Sequence, residues 1–391
     1  MRHFGVTARG VRMPVIKQGD DLATLIPEHL FKALDEEKVS VHDRDVIGIT
    51  ESIVARAQGN YASIDDIAHD VRAKLGDGTV GLVFPILSRN RFLALLQGIA
   101  KGVDHLVIQL SYPSDEVGNG LVDVDRLDAA NVDPYKDVFT EKEFRALLGP
   151  ELLHPFTQCD YPKLYREVSA NIEIIFANDP REILKYTRKV IAGDIHTRAR
   201  TKRLLKQKGA TVIGLDEILN HSINGSGFNP SYGILGSNFA APGKIKLFPR
   251  DSQALVDSIQ KAFFDKYHKT VEVLVYGDGA FKDPVGKIWE LADPVVAPFY
   301  TSGLKGTPHE LKFKLLADTT FAALKGEQAQ AEMKKAITKN KEKDHQESAL
   351  GTTPRNLTDL IGSLCDLTSG SGDKGTPVIY LQGYFDTYSE E

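Results

Sequence analysis

The sequence predicts an α+β protein of two lobes, and three observations carry that prediction. With 391 residues and 42% hydrophobic content, the chain is longer than single cores usually grow, so two lobes are expected rather than one. Over the first 110 residues, strand-like apolar runs alternate with helix-like segments. Near residue 141 the pattern shifts to longer helix-like segments with polar connections. Three segments follow: an N-terminal α/β lobe at 1–140, an enlarged helix-rich middle at 141–270, and a C-terminal lobe at 271–391.

Taken in order, residues 11–60 suggest strand, helix, strand, helix. Asp20 and Asp21 can cap a helix from Leu22 to Leu34, because a short acidic side chain accepts the unpaired N–H groups of a first turn. Asp45–Thr50 has the apolar content of a strand, and its polar end, Thr50-Glu51-Ser52, can face a ligand. An apolar run at 79–87, a helix from Arg91 to Lys101 and a strand at His105–Leu110 complete the first lobe. Further on, His196–Lys208 is strongly basic and stops at Gly209, a helix-ending residue. That stretch suits a solvated helix end first, an anionic-substrate patch second, and nucleic acid least, since aromatics are not interleaved with its charges.

Residues 223–243 hold too many glycines, prolines and asparagines for regular structure and are expected to form an ordered loop, a candidate substrate lid, anchored by Phe228, Tyr232 and Phe239. The Lys/Glu-rich stretch 325–347 is expected to be a solvated helix or a mobile connection.

Composition excludes several classes. A net charge of −5 gives no global attraction to nucleic acid or to an acidic membrane surface. No run approaches the roughly 20 apolar residues of a membrane span, and the start has no apolar leader, so a cytoplasmic protein is expected. The two cysteines, Cys159 and Cys365, lack the spacing of a zinc site or a disulfide framework. No Gly-x-Gly-x-x-Gly loop follows an N-terminal strand and no Gly-x-Ser-x-Gly elbow occurs, which argues against a Rossmann dehydrogenase and a serine hydrolase.

Four separated segments carry the chemistry. The first is Met13–Leu22, and the second is Val122–Val132, where Asp123 and Asp125 would share a face if the segment were a strand. Asp128 and Asn131 then fall in the following turn. Magnesium and manganese prefer oxygen ligands and keep several waters, so one or two carboxylates plus nucleotide phosphates suffice. The third is Val273–Gly279, in which Asp278 sits between two glycines at a strand end. The fourth is Ser369–Pro377, a near miss for a Walker loop because Thr376 stands where lysine is required. Its glycines free backbone N–H groups, and Ser369, Ser371 and Lys374 can meet phosphate.

These residues resemble the coenzyme F420-0:L-glutamate ligase family. The family's Gly-Asp-Asp-Leu opening is similar to Met13–Leu22, its next strand to Asp45–Gly59, and its Asp-Ala-Ser-Asn-Val turn to Asp128–Val132. Its metal turn resembles Gly277–Ala280 and its glycine loop Ser369–Thr376. The resemblance implies a mixed-sheet, two-lobed fold in an intertwined homodimer. It implies nucleotide contacts at Met13, Pro14, Val15, Ile16, Glu51, Ser52, Arg56 and Asn131, and along the loop Ser369, Gly370, Ser371, Gly372, Asp373, Lys374, Gly375 and Thr376. Metal would be held by Asp128 and Asp278, which with Arg56 form the expected catalytic set. Arg56 stands where the family usually has lysine, Gly279 replaces a hydroxyl ligand, and Ser371 stands where a glutamate ligand is expected, with Asp373 two residues on.

The function implied is a nucleotide-dependent amide ligase, GTP favoured over ATP, with Mg2+ or Mn2+ and K+ as ions, adding L-glutamate or a related amine to a small-molecule carboxylate acceptor. Either Arg89 or Arg91 could clasp the acceptor with its planar fork. Two alternatives keep the scaffold: a nucleotide- or metabolite-binding regulator and a metal-dependent phosphohydrolase.

Overall fold

The computed structural model describes residues 5–89, 91–154, 157–277, 280–282, 289–291, 296–308, 313–341, 356–370 and 372–387. The chain forms two compact units, each discontinuous in sequence. The first comprises Met1–Ala57, Asp251–Asp278 and Val295–Glu391, and the second Gln58–Arg250 with Gly279–Pro294. The consecutive segments expected at 1–140, 141–270 and 271–391 therefore cut across these groupings. Strand pairing is the reason, since strands at 46, 272 and 378 share one sheet although they are far apart in sequence.

The first unit is built on a five-stranded mixed sheet in the order Thr7–Val11, Val378–Gln382, Val46–Thr50, Glu272–Gly277, Val296–Tyr300. Val46–Thr50 and Glu272–Gly277 run parallel, in register from Val46 opposite Glu272 to Thr50 opposite Tyr276. Alternate side chains of these strands point to opposite faces. Ile47, Ile49, Val273, Val275, Val378 and Tyr380 pack beneath the helices Leu22–Glu36 and Gln253–Tyr267. Val46, Leu274, Tyr276, Ile379 and Leu381 meet Ile361 and Cys365 of the helix Leu357–Ser369. Gly48 lies on that second face, where an added Cβ would strike the Cys365 sulfur. The expected helix at Leu22 is present, with the Asp21 carboxylate accepting from the Ala23 N–H at 3.0 Å. The stretch beginning near 325 is helical from Gly326 to Lys341.

The second unit is organised by a six-stranded sheet. In chain order its parallel strands are Thr79–Val83, His105–Leu110, Ile172–Phe176, Lys189–Ala192 and Thr211–Gly214. In space they run third, second, first, fourth, fifth, with the two-residue strand Phe139–Thr140 antiparallel on the outer edge of the third. This is the order of a doubly wound sheet, reversing between Thr79–Val83 and Lys189–Ala192. Both faces are covered, as parallel sheets require. Val80, Leu82, Leu106, Ile108, Ile174 and Ile191 belong to the larger core, with the helices Ile64–Leu75 and Phe92–Lys101 over it. Val83, Val107, Ile175, Val190 and Val212 face Ile183 and Leu205.

Three local expectations change. The middle segment, expected to be helix-rich, supplies three short strands of this sheet, two of them largely buried and the edge strand Thr211–Gly214 half-buried. Asp123 and Asp125 do not lie on a strand: Asp123 caps a helix Val124–Ala129, accepting from the Asp125 N–H at 3.0 Å. Asp128 is on that helix rather than in the turn after it. The loop expected over 223–243 is irregular through 237, but Asn238–Ala241 then pairs with Lys244–Lys246, which pairs in turn with Tyr61–Ser63.

Candidate functional site

The first unit gathers most of the sequence-predicted nucleotide residues at one end of its sheet. Thr7–Val11 and Val46–Thr50 both run towards that end, while Val378–Gln382 starts from it, because it is antiparallel to both. The chain therefore leaves Val11 into Met13–Ile16, leaves Thr50 into Glu51–Arg56, and enters Val378 from Ser369–Thr376. Glu272–Gly277 also finishes there, parallel to Val46–Thr50. Four segments scattered over more than 350 positions meet by strand direction alone.

Backbone hydrogen bonds tie three of them together. Met13 N–H donates to the Gly375 carbonyl at 3.0 Å, Thr50 N–H to Pro377 at 3.0 Å, and Gly19 N–H to Ala57 at 2.8 Å. Lys17 N–H donates to the Asp20 carboxylate at 2.6 Å, closing the turn before the helix at Leu22. Ser369–Thr376 is drawn tight by the Thr376 hydroxyl, which donates to the Ser369 carbonyl at 3.0 Å. Gly370 has φ +62° and the Lys374 ammonium 2.7 Å from where a Cβ would stand, so a larger residue would be strained and would displace that lysine.

Exposure divides the gathered residues. Ile16 and Glu51 are buried, Met13, Ser52, Ser369 and Thr376 are half-buried, and Pro14, Val15, Arg56, Gly370, Gly372, Asp373, Lys374 and Gly375 are exposed. Arg56 lies in the last turn of the helix Glu51–Ala57, so Glu51 and Arg56 mark its two ends. The edge thus offers exposed cations, Lys17, Arg56 and Lys374, and a glycine loop with accessible backbone, which suits the charge of a polyphosphate.

The expected metal pair is not brought into one described site. Asp278, with Gly279, lies outside the described residues, as does Ser371. Asp128 and Asn131 belong to the second unit. Both are exposed, and Asn131 adopts φ +53° with its N–H on the Asp128 carbonyl at 3.0 Å. Among the described residues no group of three histidine, cysteine, aspartate or glutamate side chains is disposed to hold a metal. An exposed carboxylate such as Asp128 fits the open mode in which magnesium takes one or two protein oxygens and fills its remaining positions with water and phosphate.

In the second unit, the turn after Thr79–Val83 is pinned from two sides. Leu87 N–H donates to the buried Asp115 carboxylate at 2.8 Å, and Ser88 N–H to the Tyr165 hydroxyl at 2.9 Å, which donates on to the Ile86 carbonyl at 2.7 Å. Arg89 is half-buried. Arg91 is buried and lines a cavity of about 20 Å3, room for about one water, with Phe92, Gly193 and Ser237. Glu116 was not singled out from the sequence, yet its carboxylate accepts the N–H groups of three consecutive residues. These are Ile195, His196 at 3.1 Å and Thr197 at 3.2 Å. Beside it, burial pushes the Asp194 carboxyl upward against the opposing hydroxyl donors Thr197 and Thr201, and the Glu116 charge adds to the rise. No local pattern announces such a clasp, because donor and acceptor stand 79 or more positions apart.

A known family matches nearly the whole chain. The F420-0:gamma-glutamyl ligase profile matches residues 10–383. The chain belongs to the F420-0:gamma-glutamyl ligase family. Among individual proteins, the coenzyme F420:L-glutamate ligase of Methanothermobacter thermautotrophicus is 41% identical over 65 residues, which cover 16% of this chain and 24% of that protein. The family match takes in both compact units, since it runs from the first strand of the five-stranded sheet to just past its strand Val378–Gln382. No helix among the described residues is long and apolar enough to cross a membrane.

Proposed function

We propose that this F420-0:gamma-glutamyl ligase family member is a nucleotide-dependent amide ligase that joins L-glutamate, or a related amine, to a small-molecule carboxylate. The observation that carries the proposal is the family match over residues 10–383 together with the meeting of Met13–Ile16, Glu51–Arg56 and Ser369–Thr376 at one end of one sheet. GTP is the favoured nucleotide, with ATP the alternative. Its γ-phosphate passes to the acceptor carboxylate, and the amine nitrogen attacks the acyl phosphate, releasing phosphate. Such chemistry asks the protein chiefly to position groups and to neutralise developing charge.

In this reading Arg56 and Lys374 meet phosphate, Asn131 contacts the nucleotide, and Arg89 or Arg91 receives the acceptor carboxylate. Asp128 and Asp278 would hold Mg2+ or Mn2+, whose charge offsets that of the phosphates, and K+ would serve as a further ion. The working protein is proposed to be a homodimer.

Calorimetric titration with GTP and with ATP, with and without manganese, tests the reading on wild type and Asp128→Asn. Metal-dependent binding that the substitution weakens is expected, followed by amide formation detected by mass spectrometry. Phosphate release without any need for an amine would replace the ligase with a phosphohydrolase, and absence of nucleotide binding under every metal condition would overturn the proposal.

A further inference from the structure

The basic helix Arg198–Lys206 of the second unit borders a shallow concavity that is largely open to solvent. A cavity of about 890 Å3 is lined by Ile195, His196, Arg198, Lys202, Arg203 and Lys206, among others, with Asp216 opposite. That volume falls in the range of small-molecule sites, roughly 300–1,000 Å3. It opens at the carboxyl ends of Lys189–Ala192 and Thr211–Gly214, the side of a doubly wound sheet on which ligands gather. Ile195 also lines the small cavity beside Gly193 and Arg91, next to the place where the strand order reverses.

Charge in the cavity is out of balance. Arg198 pairs with Asp216 at 3.0 Å and Lys202 with Glu217, so two of the four cations are neutralised. Arg203 and Lys206 are exposed, and among the described residues neither has an ion-pair partner. They stand three apart on the helix, hence on the same face. The mouth is held in place, because the Ile195 and His196 N–H groups are already bound to the Glu116 carboxylate. Glu116 stands at the mouth and Lys206 also acts on Glu217, yet the lining itself carries four cations against the single carboxylate of Asp216, a net positive balance that suits the charge of a phosphomonoester, about −1.5 to −2 near neutral pH. A dinucleotide is a poor fit, since the turn after Thr79–Val83 is Phe84-Pro85-Ile86-Leu87-Ser88 and has no glycine to admit a pyrophosphate.

We propose that this cavity is an anion site for a phosphomonoester, with Arg203 and Lys206 as its charged contacts. It lies within the second unit and does not rest on the ligase reading. Phosphorus NMR and calorimetric titration of the full chain with inorganic phosphate and with glycerol 3-phosphate, at low ionic strength, test it. The comparison is between wild type, Arg203→Gln/Lys206→Gln, and a control, Arg200→Gln/Lys208→Gln, which removes two charges from the same segment outside the cavity lining. Glutamine keeps helix propensity, and both pairs of positions are exposed, so folding is expected to survive. Saturable binding that falls about tenfold or more in the cavity variant and stays within about twofold in the control is the expected result. Tighter binding of glycerol 3-phosphate than of inorganic phosphate points to an esterified ligand, and equal binding to free phosphate, either outcome supporting the site. No saturable binding in wild type, or equal losses in both variants, would overturn it.

Discussion

Single residues in this protein show how burial, rather than identity, sets chemistry. Asp194 is fully buried, and one of its carboxylate oxygens accepts the hydroxyls of Thr197 and Thr201, each at 2.7 Å. Among the described residues its other oxygen has no hydrogen-bond partner, and Glu116 lies close enough to repel it. Desolvation therefore raises this carboxyl, and the sign of the consequence follows. A carboxyl raised on folding contributes stability that is fully present below its unfolded value and lost as pH rises through the folded value. Asp194→Asn keeps an acceptor for the threonines and removes the buried charge. Its melting temperature should match wild type in acid and exceed it increasingly as pH rises above the ordinary carboxylate range. A difference that stays flat across that range would show that Asp194 is not held above its ordinary value.

At the scale of elements, the informative contacts are those that fix where a helix or turn begins. Glu116 holds the start of Arg198–Lys206 through Ile195, His196 and Thr197, so the loop 111–122 is tied to the beginning of that helix. Bonds to a carboxylate are stronger than neutral ones, but His196 and Thr197 are exposed and solvent competes for them. Glu116→Gln should cost about 1 kcal/mol, read as a lower urea midpoint at unchanged slope. An unchanged midpoint would mean that the clasp contributes nothing to the folded state. Asp21 plays a simpler part at Leu22–Glu36, where it accepts from the Ala23 N–H and the Thr24 hydroxyl. Asp21→Ala should cost about 1 kcal/mol in the same measurement, the usual value of a lost helix cap.

For the molecule as a whole, the proposed nucleotide should act on the end of one sheet. Hydrogen exchange on the full chain with GTP and manganese is expected to slow at amides of Met13–Gly19, Ser52–Arg56 and Gly372–Thr376. The interior of the parallel sheet at His105–Leu110 should be unaffected, being buried and hydrogen-bonded already. Protection confined to residues outside those three segments would move the nucleotide elsewhere.

The sequence by itself determined the elements with strong local signals, such as the capped helix at Leu22, the strands at Val46 and His105, and the basic helix ending before Gly209. It also determined family membership, because motif order along a chain is a one-dimensional property. Strands such as Lys189–Ala192 and Thr211–Gly214 were hidden in the middle segment. Each is only four residues long, too short for a periodic pattern to stand out from its surroundings. Asp123 and Asp125 were ambiguous for a related reason, since a capping aspartate and a strand aspartate look alike until the backbone direction is known. Tertiary structure alone decided that Met13–Ile16, Glu51–Arg56 and Ser369–Thr376 share one sheet edge. It also decided that Arg203 and Lys206 border one open concavity. Both depend on strand order and direction, which pair residues hundreds of positions apart and leave no periodic trace in the chain.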